Sequence, residues 1–192
     1  KSDSGEIFIN GKKASINNPN DARDYGIETI YQELALCNNL NASANLFMGR
    51  EKHKFGFLDG KNMLNETKKI LEDLSIKISS LTTSVVNLSG GQRQSIAIGR
   101  AVYFNANIII MDEPTAALGV EESKLVFKLI NQLRSNGIGI FYISHDIHDI
   151  YRVTDRISVL KSGKLVMTGK TNDFTQDEII EIIISGKTTK QN

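Results

Sequence analysis

Leu88-Ser89-Gly90-Gly91-Gln92, followed by Ile108-Ile109-Ile110-Met111-Asp112-Glu113-Pro114, is the pair of stretches that decides the fold. Four large apolar residues between Asn107 and an acidic pair read as a strand buried on both faces, as in a parallel sheet. Asp112 and Glu113 leave it together at the carboxyl end, where open α/β sheets bind ligands. A carboxylate there suits a hard, oxygen-seeking cation such as Mg2+, and its neighbour can polarise a water. Ser89 with Gln92 forms a capping-box pattern, so the spacing predicts a helix from Gly90 towards Phe104. Two glycines in its first turn let another backbone approach. The free N–H groups and the positive helix end then make an anion site. Taken singly, the first stretch also reads as an ordinary helix start and the second as a core strand capped by solvated acids. Together they are far more specific.

Composition sets the frame. A chain of 192 residues is one domain, or one domain lacking a piece, and can bury a proper core. Its 40% hydrophobic and 23% charged residues are ordinary for a globular protein. The net charge is +1 and no Lys/Arg-rich run occurs, so the electrostatic footprint of a nucleic-acid binder is absent and no nucleic-acid partner is expected. The apolar runs, such as 108–111 and 182–184, fall far short of the roughly 20 residues of a membrane helix. Cys37 stands alone, which excludes an internal disulfide, fits a reducing compartment and reads as small filler. The chain opens on Lys1 rather than Met, and a fragment is expected.

In order, residues 6–9, Asn10-Gly11 and residues 12–15 read as a hairpin with a two-residue turn. Asn18-Pro19 caps a short helix through Asp24, Gly26 breaks it, and 27–31 returns as a strand with Gln32 at its end. From Leu34 to Asn87 the texture is helical. Ser43 is read as the cap of a short helix through Met48, and His53 as a solvated residue of a basic loop. Met63, Leu64, Thr67, Ile70, Leu71 and Leu74 form one apolar stripe. After Pro114, Glu121 and Glu122 open a helix with charge suited to its dipole, buried through Leu125, Val126, Leu129, Ile130 and Leu133 and ended by Gly137. Residues 138–143 read as another buried strand, with Ser144-His145-Asp146 leaving its end. A terminal hairpin over 156–168 follows, then a second capping box, Thr175 with Glu178, starting a helix through Ile184.

The pairing of LSGGQ with an apolar strand and DEP resembles the ATP-binding subunits of ABC transporters. The resemblance implies an α/β, P-loop NTPase fold: a RecA-like core (1–33 and 105–192) with a mainly parallel sheet, and an inserted helical subdomain (34–104) carrying the signature helix. It implies Mg2+ and ATP as cofactors. Ser89, Gly90, Gly91 and Gln92 correspond to the signature, which closes over ATP held by a second ATPase domain. Asp112 and Gln32 correspond to the Mg2+ contacts, Glu113 to the catalytic glutamate and His145 to the switch histidine at the γ-phosphate. Gly119 stands where many members carry Asp, which puts the usual carboxylate contact across the dimer in doubt, so Gly119 takes no site role. His148 has no counterpart. Tyr31–Leu34, Asn45–Glu51, Ala116–Val120 and Phe174–Glu178 resemble the monosaccharide importers of the ribose, galactose, xylose and fructose type. Membrane permease subunits, an extracellular or periplasmic sugar-binding protein and the cytoplasmic face of the membrane are the implied setting.

The family also needs a G-x-x-x-x-G-K-[ST] phosphate loop. Gly186-Lys187-Thr188 comes nearest, but Glu181 stands where the first glycine is required. The expectation is a sequence beginning downstream of that loop and inactive by itself. Two alternatives remain: a soluble ABC-type ATPase acting on ribosomes or DNA, and a loop-less docking or regulatory half.

Overall fold

A computed structural model of the chain describes residues 2–78 and 80–187, divided into two compact units between Ile143 and Ser144. The first unit opens with β1 (Ile7–Ile9) and β2 (Lys12–Ala14), an antiparallel hairpin in which Ile9 pairs with Lys12. Asn10 and Gly11 turn it with φ of 52° and 74°. Both values are left-handed, as a two-residue turn matched to strand twist requires. Helix α1 (Pro19–Asp24) starts on Asn18, whose side chain accepts from the N–H groups of Asn20 and Asp21. Strand β3 (Ile27–Ile30) follows and ends two residues before Gln32.

Next come α2 (Ala42–Leu46), the short strands β4 (His53–Lys54) and β5 (Phe57–Leu58), and α3 (Gly60–Asp73). Helix α2 is capped by Asn41, not by Ser43. The Asn41 side chain accepts from Ala44 N at 2.9 Å, and Ser43 lies inside the helix with its hydroxyl buried. Asn and Ser cap equally well in isolation, and the buried Leu46 and Phe47 set the register instead. His53 sits on a two-strand hairpin rather than a loop and is exposed, as expected of a solvated residue. On α3 the stripe is as expected, with Met63, Thr67 and Leu71 buried and Leu74 buried just past its end.

Helix α4 (Gly90–Tyr103) is followed by β6 (Ile108–Asp112), α5 (Val120–Ser135) and β7 (Gly139–Ile143). Among the described strands, β3, β6 and β7 form a parallel sheet with β6 in the centre. Burial on β6 alternates: Ile109 and Met111 are fully buried, while Ile108 and Ile110 are half-buried. The strand read as enclosed on both faces is therefore enclosed more on one. Strand β7 departs further from a buried strand, for Phe141 is 65% and Ile143 49% exposed. Among the described residues it pairs along one edge only, and its side chains point alternately to opposite faces, so an apolar run does not by itself seat both sets in a core. On α5, Val126, Phe127, Leu129, Ile130 and Leu133 are buried, but Leu125 is 57% exposed. The stripe is rotated towards Phe127. Cys37 is exposed as well, so it fills no core gap.

The second unit has α6 (Ile147–Val153), the hairpin β8 (Arg156–Lys161) and β9 (Lys164–Lys170), and α7 (Gln176–Ser185). Its core is Ile157, Val159, Met167, Ile179 and Ile182. The capping box of Thr175 and Glu178 is complete at the start of α7. Gly186 ends that helix at φ 71°, donating to the Ile182 carbonyl, so it serves as a helix stop. Thr188 of the Gly-Lys-Thr string lies outside the described residues.

Truncating Leu129 to Ala is expected to cost about 2–5 kcal/mol in urea unfolding, as for a buried leucine. Leu125→Ala is expected to stay within about 0.5 kcal/mol, as for a surface change. Equal costs would show that the assigned face of α5 is wrong.

Candidate nucleotide-binding and hydrolysis site

The site is built at the carboxyl end of β6. Asp112 pairs with Ile143 as the last rung of the ladder, and the Glu113 N–H extends it by donating to the Ile143 carbonyl at 2.9 Å. Glu113 then turns out of the sheet with φ 50°, a left-handed conformation in a non-glycine residue that Pro114 follows. Such a residue costs on the order of 1–3 kcal/mol and persists only where its surroundings over-determine it. Here they do. The Ala116 N–H donates to the Glu113 carbonyl at 3.2 Å, and Pro114 and Thr115 are buried. The Thr115 and Tyr142 hydroxyls lie 3.0 Å apart, tying the loop to β7.

Glu113 lines a cleft of about 470 Å3 together with Gln32, Glu33, Gly90, Arg93 and Gln94. The fold thus brings Gln32, Glu113 and the start of α4 to one cavity although 81 positions separate the first two in sequence (113 − 32 = 81). Arg93 and Gln94 carried no signal in the sequence reading. Both line the cleft, and Arg93 Nε and Gln94 Nε2 are buried without a hydrogen-bond partner among the described residues. Two orphaned donors suit an acceptor-rich occupant, because an unmet buried donor carries its full desolvation penalty. An arginine and a glutamine at the second and third positions after a double-glycine turn was the available clue.

At the start of α4 the capping box is complete. Gln92 N–H donates to Ser89 Oγ at 3.3 Å, and Ser89 N–H to Gln92 Oε1 at 3.1 Å. The Gln92 amide also donates to the Lys77 carbonyl at 3.2 Å, so this side chain holds the turn in shape. Gly90 and Gly91 serve close packing inside the chain. A Cβ on Gly90 would stand 2.7 Å from Leu118 Cδ2, and one on Gly91 3.1 Å from Glu122 Cβ.

Glu122, read from sequence only as a charge suited to the α5 dipole, lies beside the first turn of α4 without lining the cleft. It stands three positions after Gly119, the spacing of a reciprocal cap, which was the overlooked signal. Gly119 has no side chain, so only half of the box exists, with its N–H donating to Glu122 Oε2 at 3.3 Å. The Glu122 carboxyl is held below its usual pKa of 4.5, first by that N–H and then by the Ser89 hydroxyl, with the Gly91 and Gly90 N–H groups adding to them against a burial cost.

His145 stands in the second unit, exposed, directly before Asp146, whose side chain caps α6. His148 is also exposed, in the first turn of α6. For a bound cation, the described residues offer no cluster of three or more His, Cys, Asp or Glu. Gln32 lines the cleft, whereas Asp112, the last residue of β6, is not among its lining residues.

Because the folded pKa of Glu122 is lowered, the stability it contributes is complete above 4.5 and is lost as pH falls through the lowered value. Acid unfolding of Glu122→Gln is therefore expected to show a shallower pH dependence below 4.5 than the parent. An identical dependence would show that the carboxylate is not stabilised there.

Comparison with known proteins follows this geometry. Residues 1–116 match the family model described as ABC transporter. The xylose/arabinose import ATP-binding protein of Sulfolobus acidocaldarius is 46% identical over 192 residues, covering all of this chain and 76% of that protein. The galactose/methyl galactoside import ATP-binding protein of Clostridium perfringens is 40% identical over 186 residues, 97% of this chain. The ribose import ATP-binding protein of Caldanaerobacter subterraneus is 38% identical over 191 residues. The chain spans 36% and 38% of the lengths of these last two. Among solved structures, a nucleotide-free ATP-binding cassette superposes with a TM-score of 0.73 at 24% identity, over 96% of this chain and 75% of that one. A dimeric cassette in a post-hydrolysis state, bound to ADP and Pi, gives 0.69 at 24% identity, over 88% and 74%. The fold is that of the solved ATP-binding cassettes, and the family match with the 46%-identical relative shows that the chain belongs to the ABC transporter family.

Proposed function

We propose that the chain is the ATP-hydrolysing subunit of an importer for a simple sugar. The observation that carries the ATPase reading is the strained Glu113 at the end of β6, facing one cleft with Gln32 and the start of α4. The substrate class rests on the relatives, whose names specify import of xylose/arabinose, galactose or ribose. No helix among the described residues is long and apolar enough to cross a membrane. In this reading, drawn from the import ATP-binding relatives, permease subunits supply the path and the chain attaches at the cytoplasmic face. Residues 34–104 form the helical subdomain that receives the permease. A sugar-binding protein selects the cargo.

Each residue then has a role. Glu113, which lines the cleft, accepts the proton of the attacking water. Asp112 and Gln32 hold Mg2+, which supplies charge neutralisation for the phosphate oxygens. Arg93 and Gln94 offer donors from the cleft wall. His145 donates a hydrogen bond to the terminal phosphate, and Ser89, Gly90, Gly91 and Gln92 close over the nucleotide held by a second copy. Positioning and charge stabilisation make up most of phosphoryl-transfer catalysis, so the phosphate-holding loop is required for turnover. These 192 residues contain no G-x-x-x-x-G-K-[ST] string, and the chain by itself is expected to be inactive.

In the whole protein, Glu113→Gln is expected to retain ATP binding and trap a dimer, while phosphate release falls about 10²–10⁴-fold, the range for losing a general base. Normal turnover would remove Glu113 from this role. Phosphate release by the 192-residue chain unaided would overturn the account of where the phosphates are held.

A further inference from the structure

The carboxylate of Glu122 touches two loops at once. It caps its own helix through the Gly119 N–H, 3.3 Å from Oε2. The same oxygen lies 3.3 Å from the position a Cβ would take on Gly90, and a Cβ on Gly91 would lie 3.4 Å from the Glu122 Cα. The first turn of α4 is therefore seated against the first turn of α5, and only glycine allows it. Leu118 closes the contact on the Gly90 side. The α5 start donates its Gly119 N–H to this carboxylate, which lies beside the first turn of α4, and a helix N-terminus favours an anion. The lowered pKa of this carboxyl has the same two sources, Gly119 on one side and Ser89 with the α4 N–H groups on the other.

The loop gripped at Gly119 is the one that begins at Glu113. It is short and internally bonded, Ala116 to the Glu113 carbonyl and Leu118 to that of Thr115. A displacement at Gly119 thus reaches Glu113 through five residues that share two hydrogen bonds.

We propose that Glu122 is a positioning residue, its carboxylate clasping the Ser89–Gly91 turn to Gly119 so that this turn and the Glu113–Gly119 loop move as one body. The inference rests on the reading in which Glu113 acts on the nucleotide bound by its own chain and Ser89–Gln92 on the nucleotide of a second copy. Under it, the clasp passes the closure of one site to the carboxylate of the other. Glu122 touches no reacting atom. Its work is to keep two loops in register.

The test uses the intact protein assembled with its permease, carrying Glu122→Gln, with Glu113→Gln in parallel. Two readouts are taken: MgATP turnover, and hydrogen exchange at the Gly90, Gly91 and Gly119 amides. Glu122→Gln is expected to lower kcat about tenfold with KM for MgATP within about twofold, as a small misplacement of a catalytic group does. Exchange at the three amides is expected to quicken by about the same factor. Unchanged exchange overturns the clasp whatever the kinetics show. Faster exchange with unchanged kcat overturns the transmission to Glu113. A kcat loss accompanied by an equal rise in KM and a lower Tm marks a merely structural contact and also overturns it. Normal turnover in Glu113→Gln sinks the parent reading instead, while the exchange result still judges the clasp. Should Glu122→Gln fail to fold, Glu122→Asp, which keeps the charge one methylene short of Ser89, is measured in its place with the same expectations.

Discussion

The close approach of α4 to α5 at their first turns constrains everything else in the first unit. It requires two consecutive positions without a Cβ, since Leu118 on one side and the Glu122 backbone on the other already fill that space. Once the helices meet there, the loop between β6 and α5 has to run from Asp112 to Gly119 with little slack. Glu113 absorbs the turn, taking a left-handed backbone that its neighbours hold. The glycines thus act twice. They let the Glu122 carboxylate come close to the first turn of α4, and they let the acid-bearing loop come beside it.

That geometry explains why the cleft has its composition. Gln32 arrives from the end of β3, Arg93 and Gln94 from the second turn of α4, and Glu113 from the end of β6. β3 and β6 are hydrogen-bonded neighbours, with Ile30 opposite Met111, so their carboxyl ends must open on the same side. A parallel sheet collects groups from distant sequence positions at one edge, and the helix that crosses beside it contributes the rest. The polar wall is then buried by construction. Arg93 Nε and Gln94 Nε2 are left there without a hydrogen-bond partner among the described residues.

Much of this was legible before any coordinates. Ser89 with Gln92 and Thr175 with Glu178 announce helix starts through bonds between residues three apart, Asn18-Pro19 does so through a proline suited to the first helical position, and all three form. Asn10-Gly11 announces a hairpin turn because few residues tolerate positive φ, and the turn takes it. Where two local signals competed, the local reading failed. Ser43 and Asn41 are comparable caps, and the choice fell to Leu46 and Phe47, which had to be buried. Phe127 displaced Leu125 from the buried face of α5 for a similar reason: either stripe suits a helix, and only the surface it meets selects one.

By itself the sequence determined the elements whose signals are carried within a few residues: caps, turns, the stripe of α3, the apolar strand ending in two acids, and the family they spell. The tertiary structure decided what depends on partners far along the chain. It set which strands expose a face, as β7 does through Phe141 and Ile143, and it left Cys37 at the surface. It drew Arg93 and Gln94 into the cleft with Glu113, and it gave the Glu122 carboxylate to a helix start some thirty positions earlier as well as to its own (122 − 90 = 32). The physical reason is range. Hydrogen bonds within a turn are fixed by spacing, whereas burial and helix-to-helix approach depend on surfaces that exist only once the chain has folded.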